Sequence, residues 1–212
     1  MKKIILFDLD GTLIDSTEAI LESFAVAFKT FDTSVPSDDE IKAEIGHPLD
    51  MMFSTLGVEE SKIWDHVAAY KAHYREISCA KTFLLPEAKE AVLHAKEFAI
   101  LGVVTTKTAK YSIELLEHMG LMHYFDVLIG REDVTNPKPD PEPIQKALAK
   151  LPSDTSDIWM VGDTCMDMLA ANAARVGAVG VTCGYGSKEQ LKICTDNLYH
   201  NALGAVQYIA KL

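Results

Sequence analysis

The amino-acid sequence predicts an α/β protein, a doubly wound parallel sheet core with an inserted helical cap subdomain. Three observations support this prediction. Short, continuous apolar runs recur along the chain, segments of helical length separate them, and the stretch from residue 16 to residue 82 contains no convincing strand. Continuous apolar runs are typical of strands buried on both faces, and their alternation with helices implies a parallel sheet covered on both sides.

Five apolar runs, bounded mostly by Gly, Asp or Thr, are the predicted strands. They are Lys3 to Phe7, Ile100 to Val104, Asp126 to Ile129, Ile158 to Val161 and Ala178 to Val181. Helices are predicted over Glu87 to Glu97, Ala109 to Met119, Pro141 to Leu151 and Met166 to Arg175. In a doubly wound sheet the ligand site lies beyond the carboxyl ends of the strands. Polar residues that follow these runs are therefore the first candidates for a site.

The inserted segment has the pattern of helices. Apolar residues recur at helical spacing from Thr17 to Phe31, and another helix candidate spans Glu60 to Glu76. Between them, Ser37 followed three residues later by Glu40 predicts a helix start with a capping box. We therefore expect residues 1–15 and 83–212 to form the sheet core. Residues 16–82 are expected to form a helical cap, inserted after the first strand.

The composition favours a small-molecule partner over a nucleic acid or a membrane. The 212 residues carry a formal net charge of -11, and the basic residues alternate with acids instead of forming a patch. Such a charge repels a nucleic-acid backbone and an anionic membrane surface. No window approaches the roughly 18 consecutive apolar residues of a membrane span. We expect a small ligand that meets a few fixed cations or a metal.

The cysteines indicate a reducing compartment. Cys79, Cys165, Cys183 and Cys194 are irregularly spaced and form no C-x-x-C pair. We interpret them as reduced thiols of a cytoplasmic protein, because disulfides are rare in the cytoplasm.

The first candidate site follows the first predicted strand, where the chain reads Asp8-Leu9-Asp10-Gly11-Thr12. Two carboxylates this close repel each other unless a cation lies between them, and their oxygens suit a hard ion such as Mg²⁺. Gly11 allows a sharp turn, and Thr12 offers a hydroxyl or a main-chain donor. Taken alone, the pattern is also compatible with a turn that simply ends a strand.

Two further candidate segments lie later in the chain. Thr105, Thr106 and Lys107 follow the second predicted strand, where a hydroxyl can bind a phosphate oxygen. Lys138 lies between two prolines, which stiffen the main chain and would hold its ammonium group in one place for a phosphate. A polar strand end and an exposed proline-rich turn are the alternatives for these two segments.

The fourth candidate is Gly162-Asp163 with Asp167, again at the end of a predicted strand. If a helix begins near Thr164, Asp163 and Asp167 lie four residues apart and face the same side. Acids at a helix N-terminus also interact favourably with the helix dipole, which is the alternative for either residue alone. All four candidates come at or just beyond the carboxyl end of a strand, as a shared site requires.

With these motifs in order, the sequence resembles the haloacid dehalogenase-like hydrolase superfamily over essentially the whole chain. Asp8-x-Asp10-Gly11-Thr12 resembles the first motif of the family, Thr105 the second, Lys138 the third, and Gly162-Asp163 with Asp167 the fourth. The resemblance implies a Rossmann-like core, a cap inserted after the first motif, and a hydrolase that uses Mg²⁺.

The resemblance also implies a role for each motif residue. Asp8 is the expected nucleophile that forms an aspartyl-phosphate, and Asp10 is the expected general acid and then general base. Asp8, Asp163 and the main-chain carbonyl of Asp10 would bind the metal. Thr105 and Lys138 would bind the phosphoryl oxygens. The supporting residues would be Asp167, Gly11, Thr12 and Thr106.

The identity of residue 10 separates branches of the family. Asp10 disfavours a true dehalogenase, which carries an aromatic residue there, and a phosphonate hydrolase, which lacks this second aspartate. A finer resemblance to phosphoglycolate phosphatases comes from Val104-Thr105-Thr106-Lys107, Lys138-Pro139-Asp140-Pro141-Glu142-Pro143 and Gly184-Tyr185-Gly186. Pyrophosphatases of the same subgroup share much of this pattern, and β-phosphoglucomutases share the architecture.

The expected function is hydrolysis of a small phosphate ester, with 2-phosphoglycolate as the first substrate to test. Inorganic pyrophosphatase, sugar phosphomutase and a non-catalytic phosphate-binding module are the alternatives. Substrate choice is expected to come from the cap, which closes over such sites. His47 and Arg75 of the cap, with Lys107 from the core, are the candidate specificity residues. The sequence leaves open the oligomeric state and the choice between Mg²⁺ and Mn²⁺.

Overall fold

The chain forms a sheet unit and a helical unit, and the computed structural model describes residues 2–151 and 155–212. The sheet unit comprises Met1–Asp15 and Phe83–Leu212, and the helical unit comprises Ser16–Thr82. The strands are β1 (Lys3–Phe7), β2 (Ile14–Asp15), β3 (Phe83–Leu84), β4 (Ala99–Val104), β5 (Val127–Ile129), β6 (Ile158–Gly162), β7 (Gly177–Val181) and β8 (Leu198–Tyr199). The helices are α1 (Thr17–Thr30), α2 (Asp38–Glu44), α3 (Leu49–Thr55), α4 (Ile63–Ile77), α5 (Ala88–Phe98), α6 (Ala109–His118), α7 (Glu142–Lys150), α8 (Cys165–Ala173), α9 (Lys188–Cys194) and α10 (Ala202–Ile209).

A six-stranded parallel sheet lies at the centre of the sheet unit, in the order β5-β4-β1-β6-β7-β8. Phe7 of β1 pairs with Val103 of β4 on one side and with Val161 of β6 on the other. The three central strands therefore end at nearly the same level. This register brings the residues that follow them to one edge of the sheet. A separate antiparallel pair is formed by β2 and β3.

Successive side chains of β1 belong to two different apolar layers. Ile5 and Phe7 pack in a buried cluster with residues of α5 and α10. Ile4 and Leu6 pack in a second buried cluster with residues of α7 and α8. A strand that is apolar at every position needs a hydrophobic layer on each face, and helices provide both layers. The predicted doubly wound α/β class is thus confirmed.

The apolar runs identified the five longer strands and the helices between them, with bounds that differ by one or two residues. The pattern missed β2, β3 and β8, because each is only two residues long. It also missed α3, α9 and α10. Helix α9 buries a single residue, Leu191, and so has no apolar periodicity to detect.

The helical unit has an aromatic centre. The ring of Phe24 in α1 lies 4.6 Å from that of Phe53 in α3 and 5.0 Å from that of Tyr70 in α4. Among the residues described here, this unit contains no strand. No helix in the described part of the chain is both long and apolar enough to span a bilayer.

The start of α2 agrees with the prediction from sequence, whereas α4 begins later than predicted. The capping box of α2 is present: the Ser37 main-chain N–H donates to Glu40 Oε2 at 2.8 Å, and the Glu40 N–H donates to Ser37 Oγ at 3.3 Å. The helix expected from Glu60 begins at Ile63, because Glu60–Lys62 forms a 3₁₀ turn first.

One prediction about the cysteines was wrong. Cys165 and Cys194 form a disulfide with their Cα atoms 5.7 Å apart, whereas Cys79 and Cys183 are free. The sequence expectation of four reduced thiols failed because the two half-cystines are 29 residues apart. Cys165 begins α8 and Cys194 ends α9, so only the packing of these two helices brings them together.

Candidate active site

The candidate residues follow three neighbouring strands at one edge of the sheet. Asp8 comes directly after β1, Thr105 after β4 and Asp163 after β6. All three are buried, with 5% or less of each residue exposed. The paired register of these strands explains why residues far apart in sequence meet at this edge.

Lys138 joins two of the acidic candidates. Its Nζ donates to Asp8 Oδ1 at 2.7 Å, to Asp167 Oδ1 at 2.6 Å and to the Val104 main-chain oxygen at 3.0 Å. Lys138 is only 4% exposed. Burial alone would lower the pKa of this lysine, but the carboxylates of Asp167 and Asp8 outweigh burial and raise it. The ammonium group is therefore charged over the whole physiological range.

The segment that carries Lys138 is anchored to the following helix. The Glu142 carboxylate, at the start of α7, accepts the main-chain N–H of Thr135 at 3.0 Å and of Asn136 at 2.8 Å. These hydrogen bonds, with the prolines on either side of Lys138, hold the lysine where the carboxylates meet.

The acidic residues outnumber the buried cations. Carboxylate oxygens of Asp8, Asp163 and Asp167 lie within 4.8 Å of one another, and all three residues are buried. Burial raises the pKa of Asp8 to about 7, against the lowering effect of Lys138 and with added repulsion from Asp167 and Asp10. Burial, together with the charges of Asp8 and Asp167, also raises the pKa of Asp163 well above its ordinary value.

This imbalance fits a bound divalent cation. Among the described residues, no lysine or arginine forms an ion pair with Asp163. Hard cations such as Mg²⁺ take carboxylate oxygens as ligands, and the positive charge favours the ionised form of each acid. The donor set therefore suits Mg²⁺, with Asp163 as the carboxylate least compensated by protein charge and Asp8 sharing the single charge of Lys138 with Asp167.

The two carboxylate oxygens of Asp167 have different hydrogen-bond partners. One oxygen accepts the hydrogen bond of Lys138, and the other accepts the main-chain N–H of Thr164 at 3.1 Å and its hydroxyl at 2.8 Å. The second set closes a capping box at the start of α8. One carboxylate is thus both part of the helix cap and a partner of Lys138, and its role in a site stays a prediction.

Asp163 lies in a pocket of glycines and donors. Thr12 Oγ1 donates to Asp163 Oδ1 at 3.2 Å, and the main-chain N–H of Tyr185 donates to Oδ2 at 2.8 Å. A Cβ atom on Gly184 would lie 2.2 Å from Oδ2, and one on Gly186 would lie 2.1 Å from the Asp163 main-chain oxygen. No side chain larger than that of glycine fits at these two positions without displacement.

Gly11 adds a third close approach. Its φ of +81° is in the left-handed region, and a Cβ there would lie 2.2 Å from Asp163 Oδ2. The supporting role expected of Gly11 and Thr12 thus has a geometric basis: both lie against Asp163. The residues that sequence reasoning left out of the site are Gly184, Tyr185 and Gly186. A Gly-x-Gly sequence that begins three residues after the end of β7 was the available signal.

Asp10 and Lys107 form a second ion pair. Lys107 Nζ lies 3.0 Å from Asp10 Oδ2 and 3.1 Å from Oδ1. The Lys107 main-chain N–H donates to Thr105 Oγ1 at 3.2 Å, which fixes the turn after β4. The structure therefore brings Lys107 to Asp10, at the edge where the candidate residues lie.

The remaining candidates are distributed over both units. Thr106 is half-buried between Thr105 and Lys107. His47 is half-buried and Arg75 is exposed, and both belong to the helical unit. Their part in substrate choice stays a prediction.

Comparisons with known proteins show the family of the chain. A family model described as "Haloacid dehalogenase-like hydrolase" matches residues 5–181. The chain is 36% identical to "Probable phosphatase IndB" of Dickeya dadantii, over 100% of this chain and 96% of that protein. It is 37% identical to "Putative pyrophosphatase PpaX" of Clostridium perfringens, over 85% of this chain and 84% of that protein.

A solved structure shows the same fold. The protein described as a predicted phosphoglycolate phosphatase from Haemophilus somnus superposes with a TM-score of 0.89 at 26% sequence identity. The match covers 98% of this chain and 97% of that chain. The likeness therefore extends over both units.

Proposed function

The chain belongs to the haloacid dehalogenase-like hydrolase family and is a phosphatase; from this premise we propose that it is a Mg²⁺-dependent enzyme that hydrolyses a small phosphate ester through an aspartyl-phosphate on Asp8. The observation that carries the proposal is the position of Lys138 Nζ, 2.7 Å from Asp8 and 2.6 Å from Asp167. A buried lysine that fixes one aspartate beside a surplus of carboxylates suits in-line attack on phosphorus.

Asp8 is the proposed nucleophile. Its Oδ1 accepts the hydrogen bond of Lys138, so the carboxylate is oriented and Oδ2 is left for the attack. The new bond joins Asp8 Oδ2 to phosphorus, and the bond from phosphorus to the leaving oxygen breaks. A Mg²⁺ ion held by Asp8, Asp163 and the main-chain oxygen of Asp10 would neutralise charge on the phosphoryl oxygens. Lys138 and Thr105 would bind those oxygens from the protein side.

Asp10 is the proposed acid and base. It donates a proton to the leaving oxygen in the first step and accepts a proton from the attacking water in the second. The second step cleaves the aspartyl-phosphate, releases inorganic phosphate and restores Asp8. Before substrate binds, Lys107 lies 3.0 Å from Asp10 as its ion-pair partner. Lys107 therefore has to leave Asp10, and Asp10 has to take up a proton from solvent, before the first step.

We propose 2-phosphoglycolate as the substrate to test first. Its carboxylate offers Lys107 an anionic partner at the same edge as the phosphoryl group. Pyrophosphate is the second candidate, favoured by the 37% identity to a relative named as a pyrophosphatase. A phosphomutase is the third candidate. A non-catalytic module would be expected to lack Asp8, Asp10 or Lys138. All three residues are present, which disfavours this alternative.

The test is phosphate release from a panel of small phosphates in Mg²⁺. The panel contains 2-phosphoglycolate, pyrophosphate, β-glucose 1-phosphate and simple nucleotides. Asp8→Asn is the inactive variant, and Asp196→Asn, at an exposed aspartate, is the matched control. We expect release that needs metal, disappears in Asp8→Asn and persists in Asp196→Asn.

The outcomes separate the candidates. The substrate with the highest kcat/KM identifies the subgroup, and isomerised sugar phosphate without net release identifies a mutase. Release that survives in Asp8→Asn or in excess chelator would contradict the proposed mechanism. The cytoplasmic location expected from the sequence stays a prediction beside this proposal.

A further inference from the structure

The loop between β7 and α9 (residues 182–187, the β7–α9 loop) holds Asp163 in place. The Tyr185 main-chain N–H donates to the Asp163 carboxylate at 2.8 Å. Gly184 and Gly186 approach Asp163 so closely that a Cβ on either would lie within 2.2 Å of it. Any movement of this loop therefore changes the hydrogen bonding and the packing of a proposed metal ligand.

Helix α9, which follows this loop, has little packing of its own. It contains seven residues and buries only Leu191. Short helices with few buried apolar contacts open at low free-energy cost, because helix propensity alone does not hold them. Beyond α9 the chain is fixed again: Thr195 Oγ1 and Asn197 Nδ2 both donate to the Ala178 main-chain oxygen of β7.

The Cys165–Cys194 disulfide joins this segment to α8. Cys194 is the last residue of α9, and Cys165 is the first residue of α8, two positions after Asp163. The bond thus ties the far end of α9 to the chain that immediately follows Asp163. Both half-cystines are partly exposed, and the neighbouring Ile193 is 86% exposed, so the disulfide lies near the surface.

We propose that the Cys165–Cys194 disulfide is a redox-sensitive clamp that keeps the β7–α9 loop against Asp163, so that its reduction loosens the loop and weakens metal binding. The effect on catalysis rests on the proposed metal-dependent phosphatase function, whereas the effect on the loop does not. The loosening is confined to residues 182–194, because the hydrogen bonds of Thr195 and Asn197 hold the chain beyond them.

The chemistry is thiol–disulfide exchange with a dithiol reductant. One thiolate of the reductant attacks a sulfur of the pair, and the Cys165–Cys194 bond breaks as a mixed disulfide forms. The second thiolate of the reductant then displaces the protein sulfur and closes the disulfide of the reductant. Two electrons pass to the protein, two protons are taken up, and both cysteines become thiols.

The first measurement is amide hydrogen exchange of the metal-free protein, before and after treatment with dithiothreitol. Alkylation and mass measurement should find two reactive thiols before treatment and four after it. We expect exchange of the Tyr185 amide and of α9 to rise about tenfold on reduction. Amides of α5 serve as the internal reference, since this helix packs on the opposite layer of the sheet unit.

Two variants identify the bond responsible. Cys194→Ser should show the fast exchange already without reductant, and reductant should add nothing. Cys79→Ser, which removes an exposed free thiol of the helical unit, should behave like the unmodified chain. Tyr185 protection that is the same in both redox states, or four reactive thiols before reduction, would overturn the proposal. So would a Cys194→Ser protein that still responds to dithiothreitol.

The second measurement is Mg²⁺ binding by calorimetry in both redox states. We expect the dissociation constant to rise several-fold on reduction, and equal constants would refute the link to the metal. The two proposals fail separately. A loop that responds to redox in a protein without phosphatase activity contradicts only the proposed function, and an active enzyme with an unchanged loop contradicts only the clamp.

Discussion

Lys138 Nζ lies almost midway between two buried carboxylates, 2.7 Å from Asp8 and 2.6 Å from Asp167. The lysine therefore belongs equally to the proposed nucleophile and to the residue that caps α8. The Lys138 side chain thus links Asp8, at the end of β1, to Asp167, at the start of α8. The charge of each aspartate depends on Lys138 and on the other aspartate. This coupling makes Lys138 a stability element as well as a proposed catalytic residue.

Replacing Lys138 with methionine should reduce both activity and stability. The change leaves two buried carboxylates without their cation, and breaking a buried ion pair typically costs about 3–5 kcal/mol. We expect a loss of that order in the free energy of unfolding, measured with urea in excess chelator, and loss of phosphate release. Lys62→Met, at an exposed pair with Glu59, should cost less than about 1 kcal/mol.

A double variant separates the charge effect from lost packing. Lys138→Met/Asp167→Asn removes one of the two stranded charges, so it should recover part of the stability of Lys138→Met. If the double variant is less stable by the full sum of the single changes, Lys138 does not act through this pair.

The metal-free protein should become less stable as pH rises toward neutrality. Burial raises the pKa of Asp8 from 3.8 to about 7, and burial with neighbouring charges raises the pKa of Asp163. The folded protein therefore holds protons that the unfolded chain has already lost above about pH 4. The protonated aspartates contribute fully to stability at pH values below their pKa in the unfolded chain. This contribution is lost as the pH rises through their higher pKa in the folded protein.

The measurement is thermal unfolding in chelator at about pH 5.5 and about pH 8, on either side of the raised pKa of Asp8. We expect a lower Tm at the higher pH, and a smaller difference in Asp8→Asn, which has no carboxyl to ionise at this position. Saturating Mg²⁺ should raise the Tm most at the higher pH, because it favours the ionised acids. An equal pH dependence in Asp8→Asn would exclude Asp8 as the source.

Gly184→Ala should weaken metal binding more than it weakens the fold. Its Cβ would lie 2.2 Å from Asp163 Oδ2, so the loop or the carboxylate must move. We expect at least a tenfold rise in the Mg²⁺ dissociation constant, measured by calorimetry. Gly204→Ala in α10, where the nearest atom lies at 3.3 Å, is the control and should bind Mg²⁺ normally. Unchanged binding in Gly184→Ala would show that the close approach has no bearing on the metal.

The central strands, β1 and its neighbours, are the part of the fold that the sequence predicts. An apolar run from Lys3 to Phe7 identifies a strand that must be buried on both faces, and the same logic identified the other central strands. Because parallel strands share a carboxyl edge, Asp8, Thr105 and Asp163 were expected to meet without any knowledge of tertiary contacts. Their separate chemical roles rest on the resemblance to the family and stay proposals.

The unpredictable part depends on contacts between residues distant in sequence. The Gly-x-Gly sequence at Gly184 marks a tight loop, but it does not identify Asp163 as the residue that the loop encloses. Nothing local to Cys194 indicates that it meets Cys165. The expectation of a reduced Cys165 was wrong because its contact with Cys194 has no local signal in the sequence. The ion pair of Asp10 with Lys107 likewise appears only when the turns after β1 and β4 are placed side by side.

Lys107→Met should distinguish substrates that carry a second anionic group from those that do not. If Lys107 leaves Asp10 to bind the carboxylate of 2-phosphoglycolate, its loss removes a charge-assisted hydrogen bond worth about 1.5–3 kcal/mol. We expect KM for 2-phosphoglycolate to rise at least tenfold while kcat/KM for p-nitrophenyl phosphate changes little. Lys110→Met, at an exposed lysine in α6, is the matched control. An equal fall in kcat for both substrates would mean instead that Lys107 serves Asp10 during proton transfer.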